Sequence, residues 1–379
     1  MNGRIPVVAA MAMLVPACRA GAAGRVTPTP SDLTDATTDD GPTSTSDGGP
    51  AVAPPPSDAV APSDPCNGEP AFCGKAYDQL TYPTTHAAMA VGAPPFACPA
   101  QQQSIRAQLD HGIRALDLEV HPLDAGDDGG ATDAAASADG RDEGGPDGGG
   151  LDAVDAGNGD ATVVPVTSGA LALCLGGCGS GQASLASALT DVRSFLDVNP
   201  REVITLLLEG AVDAGSLAAA LTAANLDGLA FSYVAGDPWP TLGQMIAAGQ
   251  RVVILADTAG AAPPWMLPLW TYVAETGRTF ASTSMMSCNL TRGPADAPLY
   301  LLNEFLVDPD GGSPGCGTPA LAQEANAEPF FADRTTACIA ARSGNPAFIA
   351  VDDYDVGDVF GVTRALDLDR EGPRRHGTG

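Results

Sequence analysis

The residues of this chain best suited to chemistry are a histidine and several carboxylates that follow predicted β-strands. His86 comes just after a run in which Thr81 and Tyr82 favour a strand and Pro83 is expected to end it. Acids close later apolar runs at Asp117, Glu119, Glu209, Asp257 and Asp352. Such groups transfer protons or bind cations, and the carboxyl ends of parallel strands open onto a shared pocket. We therefore expect one site at this edge of the sheet.

The predicted strand 113–121 carries three ionisable groups on one side. Strand periodicity places Asp117, Glu119 and His121 on one face. The other face is apolar and consists of Leu116, Leu118 and Val120. Three ionisable side chains would be costly in a core. This face therefore lines a site or, alternatively, belongs to an edge strand whose outer face is solvated.

Alternating elements predict an α/β fold with a mainly parallel sheet. Predicted strands cover 113–121, the start of 169–178, 202–209, 251–257, 298–306 and 347–351. Predicted helices cover 101–111, 182–198, 216–224, 241–248 and 359–366. Acids at the carboxyl ends of strands and a folded length of roughly 260 residues are typical of a TIM barrel. The alternative is an open doubly wound sheet, but no Gly-x-Gly-x-x-Gly or Walker loop follows a first strand.

Residues 1–18 have the features of an export segment. Arg4 supplies a positive charge, and the apolar run that follows it is too short to span a bilayer. The sequence Leu14-Val-Pro-Ala-Cys18 resembles a lipobox, in which Cys18 would be lipidated. Pro16 is unusual in a lipobox, and an ordinary signal peptide is the alternative. Both interpretations predict an exported protein, lipid-anchored or secreted, in a bacterial cell envelope.

The formal net charge of −28 lies largely in two segments of low complexity. Residues 19–65 are rich in Pro, Ser, Thr and Asp, and residues 124–168 are rich in Asp, Gly and Ala. Neither can bury enough apolar surface to fold, so we predict a disordered linker and a disordered insertion. The folded domain is then 66–368, followed by a tail, 369–379. Without a basic stripe, nucleic acid is not an expected partner.

Cysteine usage agrees with export. The chain has nine cysteines, and removing Cys18 leaves an even number. These are Cys66, Cys73, Cys98, Cys174, Cys178, Cys288, Cys316 and Cys338. Cys66–Cys73 and Cys174–Cys178 would each close a short local loop, as disulfides in exported proteins do. Zinc is the alternative, but neither pair has a second Cys or His pair nearby to complete a tetrahedral site.

Several segments in order resemble the secreted bacterial members of the phosphatidylinositol-specific phospholipase C X-domain family. They are Cys66-Asn-Gly, Tyr82-Pro-Thr-Thr-His86, Gly112-Ile-Arg-Ala-Leu-Asp-Leu-Glu-Val-His121, Leu173-Cys-Leu-Gly-Gly-Cys178, Asn199-Pro-Arg-Glu-Val-Ile-Thr-Leu, Pro238-Trp-Pro-Thr-Leu-Gly243 and Phe348-Ile-Ala-Val-Asp-Asp-Tyr-Asp355. The resemblance implies a distorted TIM barrel. It also implies a Cys288–Cys338 disulfide, which leaves Cys98–Cys316 as the last pair.

The resemblance implies a reaction with two histidines. His86 matches the general base, and Asp352 matches the carboxylate that orients it, with Asp353 as the alternative. The second histidine of the family, a general acid, is replaced here by Leu175. His121 is the candidate substitute.

The resemblance also implies a metal site. Asp117, Glu119 and Glu209 match ligands of the Ca²⁺-dependent members, although the Asn that usually follows the first histidine is Ala87 here. A Ca²⁺ ion is therefore an expected cofactor. Arg114 and Arg292 are candidate phosphate contacts, with structural salt bridges as the alternative.

Three functions remain open at this point. The first is a membrane-tethered, monomeric phosphodiesterase of the phospholipase C type that acts on a phosphodiester such as phosphatidylinositol. The second is a non-catalytic barrel that binds a lipid head group or a phosphate. The third is a structural envelope lipoprotein. The substitution at Leu175 favours the second and third, whereas His86, Asp352 and the acids favour the first.

Overall fold

The computed structural model describes residues 64–92, 96–123, 171–308, 310 and 316–368. The predicted export segment with Cys18, most of the linker, the insertion 124–168 and the tail 369–379 lie outside the described residues. Within the described ranges, no helix is long and apolar enough to cross a bilayer.

The described elements alternate along the chain. The strands are β1 Tyr82–Thr85, β2 Ala115–Pro122, β3 Leu171–Cys174, β4 Gln182–Ser184, β5 Ile204–Asp213, β6 Val252–Ala259, β7 Met266–Pro268, β8 Val273–Thr276, β9 Leu290–Arg292, β10 Leu299–Glu304 and β11 Phe348–Val351. The helices are α1 Ile105–Asp110, α2 Leu185–Val198, α3 Ala214–Ala223, α4 Leu242–Ala247, α5 Leu269–Tyr272, α6 Pro319–Ala325, α7 Phe330–Arg342 and α8 Val359–Leu368. Short 3-10 turns join several of them.

The parallel strands follow one another in chain order around the sheet. On one side of β1 the order is β2, β5, β6 and β7, and on the other it is β11, β10 and β8. All of these pairings are parallel. Among the described strands, nothing pairs β7 with β8, and the antiparallel β9 covers the edge of β8. The fold is therefore a distorted (β/α) barrel that is open between β7 and β8.

Alternation along the strands separates the barrel interior from the layer beneath the helices. Leu207, Leu255, Leu301 and Phe348 belong to the apolar cluster that fills the interior. The residues beside them in sequence pack instead with the helices; these are Leu206, Leu208, Ile254, Leu302 and Ile349. Further along the inward face, two residues on in β5, β6 and β10 and four residues beyond Phe348, the side chains become polar: Glu209, Asp257, Asn303 and Asp352. The barrel thus has an apolar floor and a polar rim at its carboxyl end.

Some predicted boundaries are wrong. Pro83 does not end β1, because the strand continues to Thr85 and Pro83 pairs with Ile349. The amides of Tyr82 and His86 point to β11, so the nitrogen of Pro83 faces β2, whose pairing begins only at Thr84. The missing N–H of proline therefore costs no ladder bond. The predicted helix at 101–111 begins only at Ile105, where Ser104 caps it.

The predicted disulfides are present. The four pairs are Cys66–Cys73, Cys98–Cys316, Cys174–Cys178 and Cys288–Cys338, with Cα–Cα distances of 5.1, 5.1, 4.9 and 5.1 Å. Thus all eight of the cysteines after Cys18 are paired.

Candidate active site

His86 and Asp352 form a buried pair at the carboxyl ends of adjacent strands. β1 pairs with β11, and the His86 amide donates to the Val351 carbonyl at 3.0 Å, so both side chains reach the same edge. His86 Nδ1 lies 2.8 Å from Asp352 Oδ1. The two residues are only 7% and 3% exposed. The alternative, Asp353, instead accepts a hydrogen bond from Gln102 Nε2 at 3.0 Å.

This geometry fixes the imidazole in one orientation. The ring stacks on Phe305, with centroids 3.8 Å apart and planes inclined by 9°. An ionised carboxylate can only accept a hydrogen bond. Nδ1 therefore carries a proton and donates it in the hydrogen bond to Asp352. The other nitrogen, Nε2, is then free to act as a base, and the carboxylate would stabilise the imidazolium that forms.

A cavity of about 390 Å³ opens beside the pair. Its lining includes the following side chains: His86, Phe305, Glu119, Glu209, Arg278 and Arg292. The cavity also contains the side chain at the position where the family has its second histidine: Leu175 lines it and is 9% exposed. Leucine has no proton to transfer, so the site combines a positioned base and two cations with an apolar side chain at that position.

The two arginines are partly exposed and hold buried carboxylates in an arginine–carboxylate cluster of Asp117, Glu209, Glu275, Arg278 and Arg292. Arg278 Nη1 donates to Glu209 Oε1 at 2.8 Å and Oε2 at 2.6 Å, and Nη2 lies 3.5 Å from Asp117 Oδ2. Arg292 joins Glu209 to Glu275, with contacts of 2.7 Å to each. Its guanidinium also lies 3.4 Å from the centre of the Trp270 ring, a cation–π contact that orients it.

The members of this cluster perturb one another's protonation. Burial and the neighbouring charge of Glu209 raise the pKa of Asp117 to about 7, although Arg278 opposes the shift. Burial alone would also raise the pKa of Glu209, but Arg278 and Arg292 outweigh it and hold that pKa below its usual value. Burial works against the charged form of Arg278, yet Asp117, Glu209 and Glu275 raise its pKa above the ordinary value. Both Arg278 and Glu209 are therefore charged at neutral pH.

The three carboxylates expected to bind Ca²⁺ lie on the paired strands β2 and β5, and Glu119 and Glu209 both line the cavity, but other side chains already hold them. Asp117 and Glu209 face Arg278, and Glu119 accepts hydrogen bonds from His121 Nε2 and the Gly176 amide at 2.9 Å each. No group of three or more His, Cys, Asp or Glu residues in the described ranges is arranged to hold a metal ion. Calcium needs about six oxygens turned towards one point. The donor set therefore does not fit the ion, and positive charge here comes from guanidinium groups.

His121 lies further along β2 than the level of the His86–Asp352 pair, and its Nε2 contacts Glu119. Thr85 pairs with Leu116, so His86 is level with Asp117, and His121 is four residues further along β2. At about 3.3 Å per residue this separation is roughly 13 Å along the strand. The residues that line the cavity do not include His121. The structure therefore does not bring the candidate substitute acid to the base.

Arg114 also lies away from the site. It precedes β2 at the amino end of the barrel, where its Nε donates to Glu202 at 2.7 Å and its Nη1 to the carbonyls of Leu109 and Ile113. It lines a different cavity, of about 210 Å³, beside α8. The expectation that Arg114 contacts phosphate is therefore wrong, because a strand's amino and carboxyl ends open on opposite sides of the barrel.

Sequence reasoning missed Arg278 and Phe305. Arg278 follows β8, which is only four residues long and was not predicted. Phe305 lies inside the predicted strand 298–306, but β10 ends at Glu304, directly before it. The available signal was position: both stand just past the carboxyl end of a barrel strand, as His86 and Asp352 do.

A comparison with models of known protein families shows to which family this chain belongs. The model of a family described as PI-PLC X matches residues 160–367, more than half of the chain. The chain belongs to the PI-PLC X family. The match begins beyond His86, so the base and the strand bearing Asp117 and Glu119 lie before the matched range.

Two fungal proteins of Arthroderma benhamiae are similar to this PI-PLC X family member. One, named PI-PLC X domain-containing protein 1, is 26% identical over 253 residues, 64% of this chain and 68% of that protein. The other, an uncharacterized secreted protein, is 25% identical over 329 residues, 78% of this chain and 62% of that protein. Both are fungal, so the comparison supports the family and not the bacterial subgroup that the sequence resembles.

Solved structures give weaker matches. A phosphatidylinositol-specific phospholipase C of Staphylococcus aureus aligns with a TM-score of 0.47 and 11% identity, over 79% of this chain and 95% of that one. A calcium-dependent phosphoinositol-specific phospholipase C of a Pseudomonas species aligns with a TM-score of 0.37 and 12% identity, over 74% and 92%.

Proposed function

We propose that this protein is an exported, phospholipase C-like phosphodiesterase in which His86 is the general base. The observation that carries the proposal is the 2.8 Å contact of His86 Nδ1 with Asp352, at the edge of a cavity that also contains two arginines. Membership of the PI-PLC X family supports a phosphodiester as the substrate class. A phospholipid is the proposed substrate.

The residues present would perform the first half of such a reaction. His86 Nε2 takes the proton of a hydroxyl group on the substrate or of a water molecule, and the resulting oxygen attacks phosphorus. Asp352 stabilises the imidazolium by the hydrogen bond to Nδ1. Arg278 and Arg292, on the cavity wall, attract the phosphate and the charge that develops on its oxygens. No step requires Ca²⁺ in this scheme.

Departure of the leaving group is the slow half. Leu175 replaces the expected proton donor, and His121 does not line the cavity, although its Nε2 contacts Glu119, which does. A missing general acid costs about 10²–10⁴-fold in rate. The alkoxide of a diacylglycerol is a poor leaving group without a proton, whereas p-nitrophenolate needs none. We therefore propose that activated phosphodiesters are cleaved much faster than phosphatidylinositol.

Export and location are supported by the disulfides. Four disulfides within the described residues suit an oxidising compartment. The name of the second fungal relative describes a secreted protein. We propose that this chain is likewise exported, with a lipid anchor at Cys18 as the specific form to be tested by mass spectrometry of the mature protein.

A direct test compares turnover of phosphatidylinositol vesicles with turnover of a p-nitrophenyl phosphodiester. The proposal expects release of p-nitrophenolate by the wild type and weak or no cleavage of the lipid. The alternative function is a non-catalytic barrel that binds a phosphate-bearing head group, which the apolar Leu175 in the cavity favours. Absence of turnover on both substrates, together with saturable binding of inositol phosphate by calorimetry, would establish the alternative.

A further inference from the structure

Two loop segments lie against the His86–Asp352 pair. The first ends at Gln101, which is fully buried. Its Nε2 donates to the carbonyls of His86 and Val351 at 2.9 Å each, so one amide fastens the carboxyl end of β1 to that of β11. Its Oε1 accepts the Tyr354 amide at 3.3 Å. Gln101 therefore sets the spacing of the two backbones that carry the base and its carboxylate.

The second segment contains Gly317 and lies close to the Asp352 carboxylate. A Cβ atom built on Gly317 would lie 2.3 Å from Asp352 Oδ2, far inside normal contact distance. Only glycine can occupy this position while Asp352 keeps its place. The segment is fixed to the chain that follows β10, because the Asp308 amide donates to the Cys316 carbonyl at 2.8 Å. That chain carries Phe305, on which His86 stacks.

The Cys98–Cys316 disulfide joins these two segments. Cys98 is three residues before Gln101, and Cys316 is next to Gly317. The bond thus links the segment that spaces the two strand ends to the segment that abuts Asp352. We propose that Cys98, Cys316 and Gly317 are positioning residues, a clamp that keeps the Asp352 carboxylate in its hydrogen bond to His86. The consequence for rate rests on the proposed function, whereas the consequence for the hydrogen bond does not.

The test uses two variants with matched controls. Cys98→Ser/Cys316→Ser removes the link, and Cys66→Ser/Cys73→Ser removes a disulfide of equal Cα–Cα distance that packs with the apolar interior cluster. Gly317→Ala adds the obstructing methyl group, and Gly344→Ala adds one where nothing lies within 4 Å. Gly317→Ala keeps all four disulfides, so it tests the clamp even if the cysteine variant fails to fold.

The first readout is the one-dimensional proton spectrum of the exchangeable imidazole protons. A histidine Nδ1 proton bonded to a carboxylate resonates far downfield, and His86→Ala identifies the signal. We expect Gly317→Ala and the Cys98/Cys316 variant to lose or shift this signal while both controls keep it. Retention of the signal in both clamp variants would overturn the proposal, whether or not the protein turns over any substrate.

The second readout is kcat and KM on the p-nitrophenyl phosphodiester. Misplacement of a catalytic group by about 1 Å can cost about 10²-fold, so kcat should fall roughly 10–100-fold in the clamp variants with KM changed less than about threefold. The controls should keep kcat, even where the melting temperature falls. Equal losses of kcat in the two cysteine variants would show a merely structural disulfide and overturn the clamp. If the wild type has no turnover, the proposed function fails. The proton spectrum alone then tests whether the clamp residues maintain the His86–Asp352 hydrogen bond.

Discussion

Arg278 holds both carboxylate oxygens of Glu209, at 2.8 and 2.6 Å from one guanidinium nitrogen. This contact occupies the position where the sequence resemblance predicts a calcium ligand. A carboxylate with both oxygens engaged by a guanidinium has little left to offer a divalent ion. Of the other predicted ligands, Asp117 lies 3.5 Å from Arg278 Nη2, and Glu119 contacts His121 Nε2 at 2.9 Å.

The first prediction is that Ca²⁺ does not stabilise the protein. A ligand that binds the native state raises the melting temperature by mass action. We expect the melting temperature at millimolar Ca²⁺ and in EDTA to agree within about 1 °C, with Mg²⁺ at equal ionic strength as the control. A rise that saturates with Ca²⁺ and vanishes in Glu209→Gln would show that the carboxylates release Arg278 and bind the ion.

The second prediction concerns stability of the arginine–carboxylate cluster. Arg278→Met leaves Glu209 buried beside one arginine fewer. Removal of one partner of a fully buried ion pair lowers the free energy of unfolding by about 3–5 kcal/mol. We expect a smaller loss for Arg278→Met because the Arg278 side chain is 28% exposed. Denaturant unfolding should show that Glu209→Gln in the same chain recovers part of the loss. Purely additive effects of the two changes would contradict a coupled pair.

The third prediction is a pH dependence of stability from Asp117. Its pKa of about 7 in the folded protein lies above the value of about 3.9 in an unfolded chain. The folded state therefore holds the proton more tightly, and this group's contribution to stability declines as pH rises from about 4 to about 7. Asp117→Asn should remove that decline, so the variant gains on the wild type in urea unfolding between about pH 5 and pH 8. A gain that does not depend on pH, or a loss that grows with pH, would contradict the assignment.

The fourth prediction restores the missing proton donor. Leu175→His places an imidazole in the cavity wall, and we expect cleavage of phosphatidylinositol to rise by up to about 10²–10⁴-fold with little change on the p-nitrophenyl ester. The control is Thr279→His, at another position in the lining of the same cavity. This variant should not raise the rate of phosphatidylinositol cleavage. If Leu175→His leaves lipid cleavage unchanged but His121→Ala abolishes it, His121 is the acid and the interpretation of Leu175 is wrong.

The His86–Asp352 pair is expected from the resemblance to the family, which matches these residues to the base and its orienting carboxylate. β1 and β11 are first and last in chain order, and a barrel must bring those strands together. The alternation of polar and apolar residues along β2 predicts that the strand face with Asp117 turns towards the site. Strand periodicity alone gives the shared face of Asp117, Glu119 and His121, whereas the choice of Asp352 as the partner of His86 required the resemblance.

The partners of the carboxylates could not be predicted in the same way. Arg278 and Glu275 belong to the region of β7, β8 and β9, where strands of three or four residues are too short to show a period. Arg278 and Glu209 are 69 residues apart in the chain. Only the packed barrel decides whether a buried carboxylate meets a metal ion or a guanidinium, since both satisfy its charge.

The central claim is that His86 is the base of a phosphodiesterase. The most direct measurement is kcat/KM on the p-nitrophenyl phosphodiester for His86→Ala against His111→Ala, whose imidazole bonds Tyr354 outside the cavity. The account predicts that His86→Ala loses essentially all turnover while His111→Ala keeps the wild-type value within about threefold. Wild-type turnover in His86→Ala would contradict it.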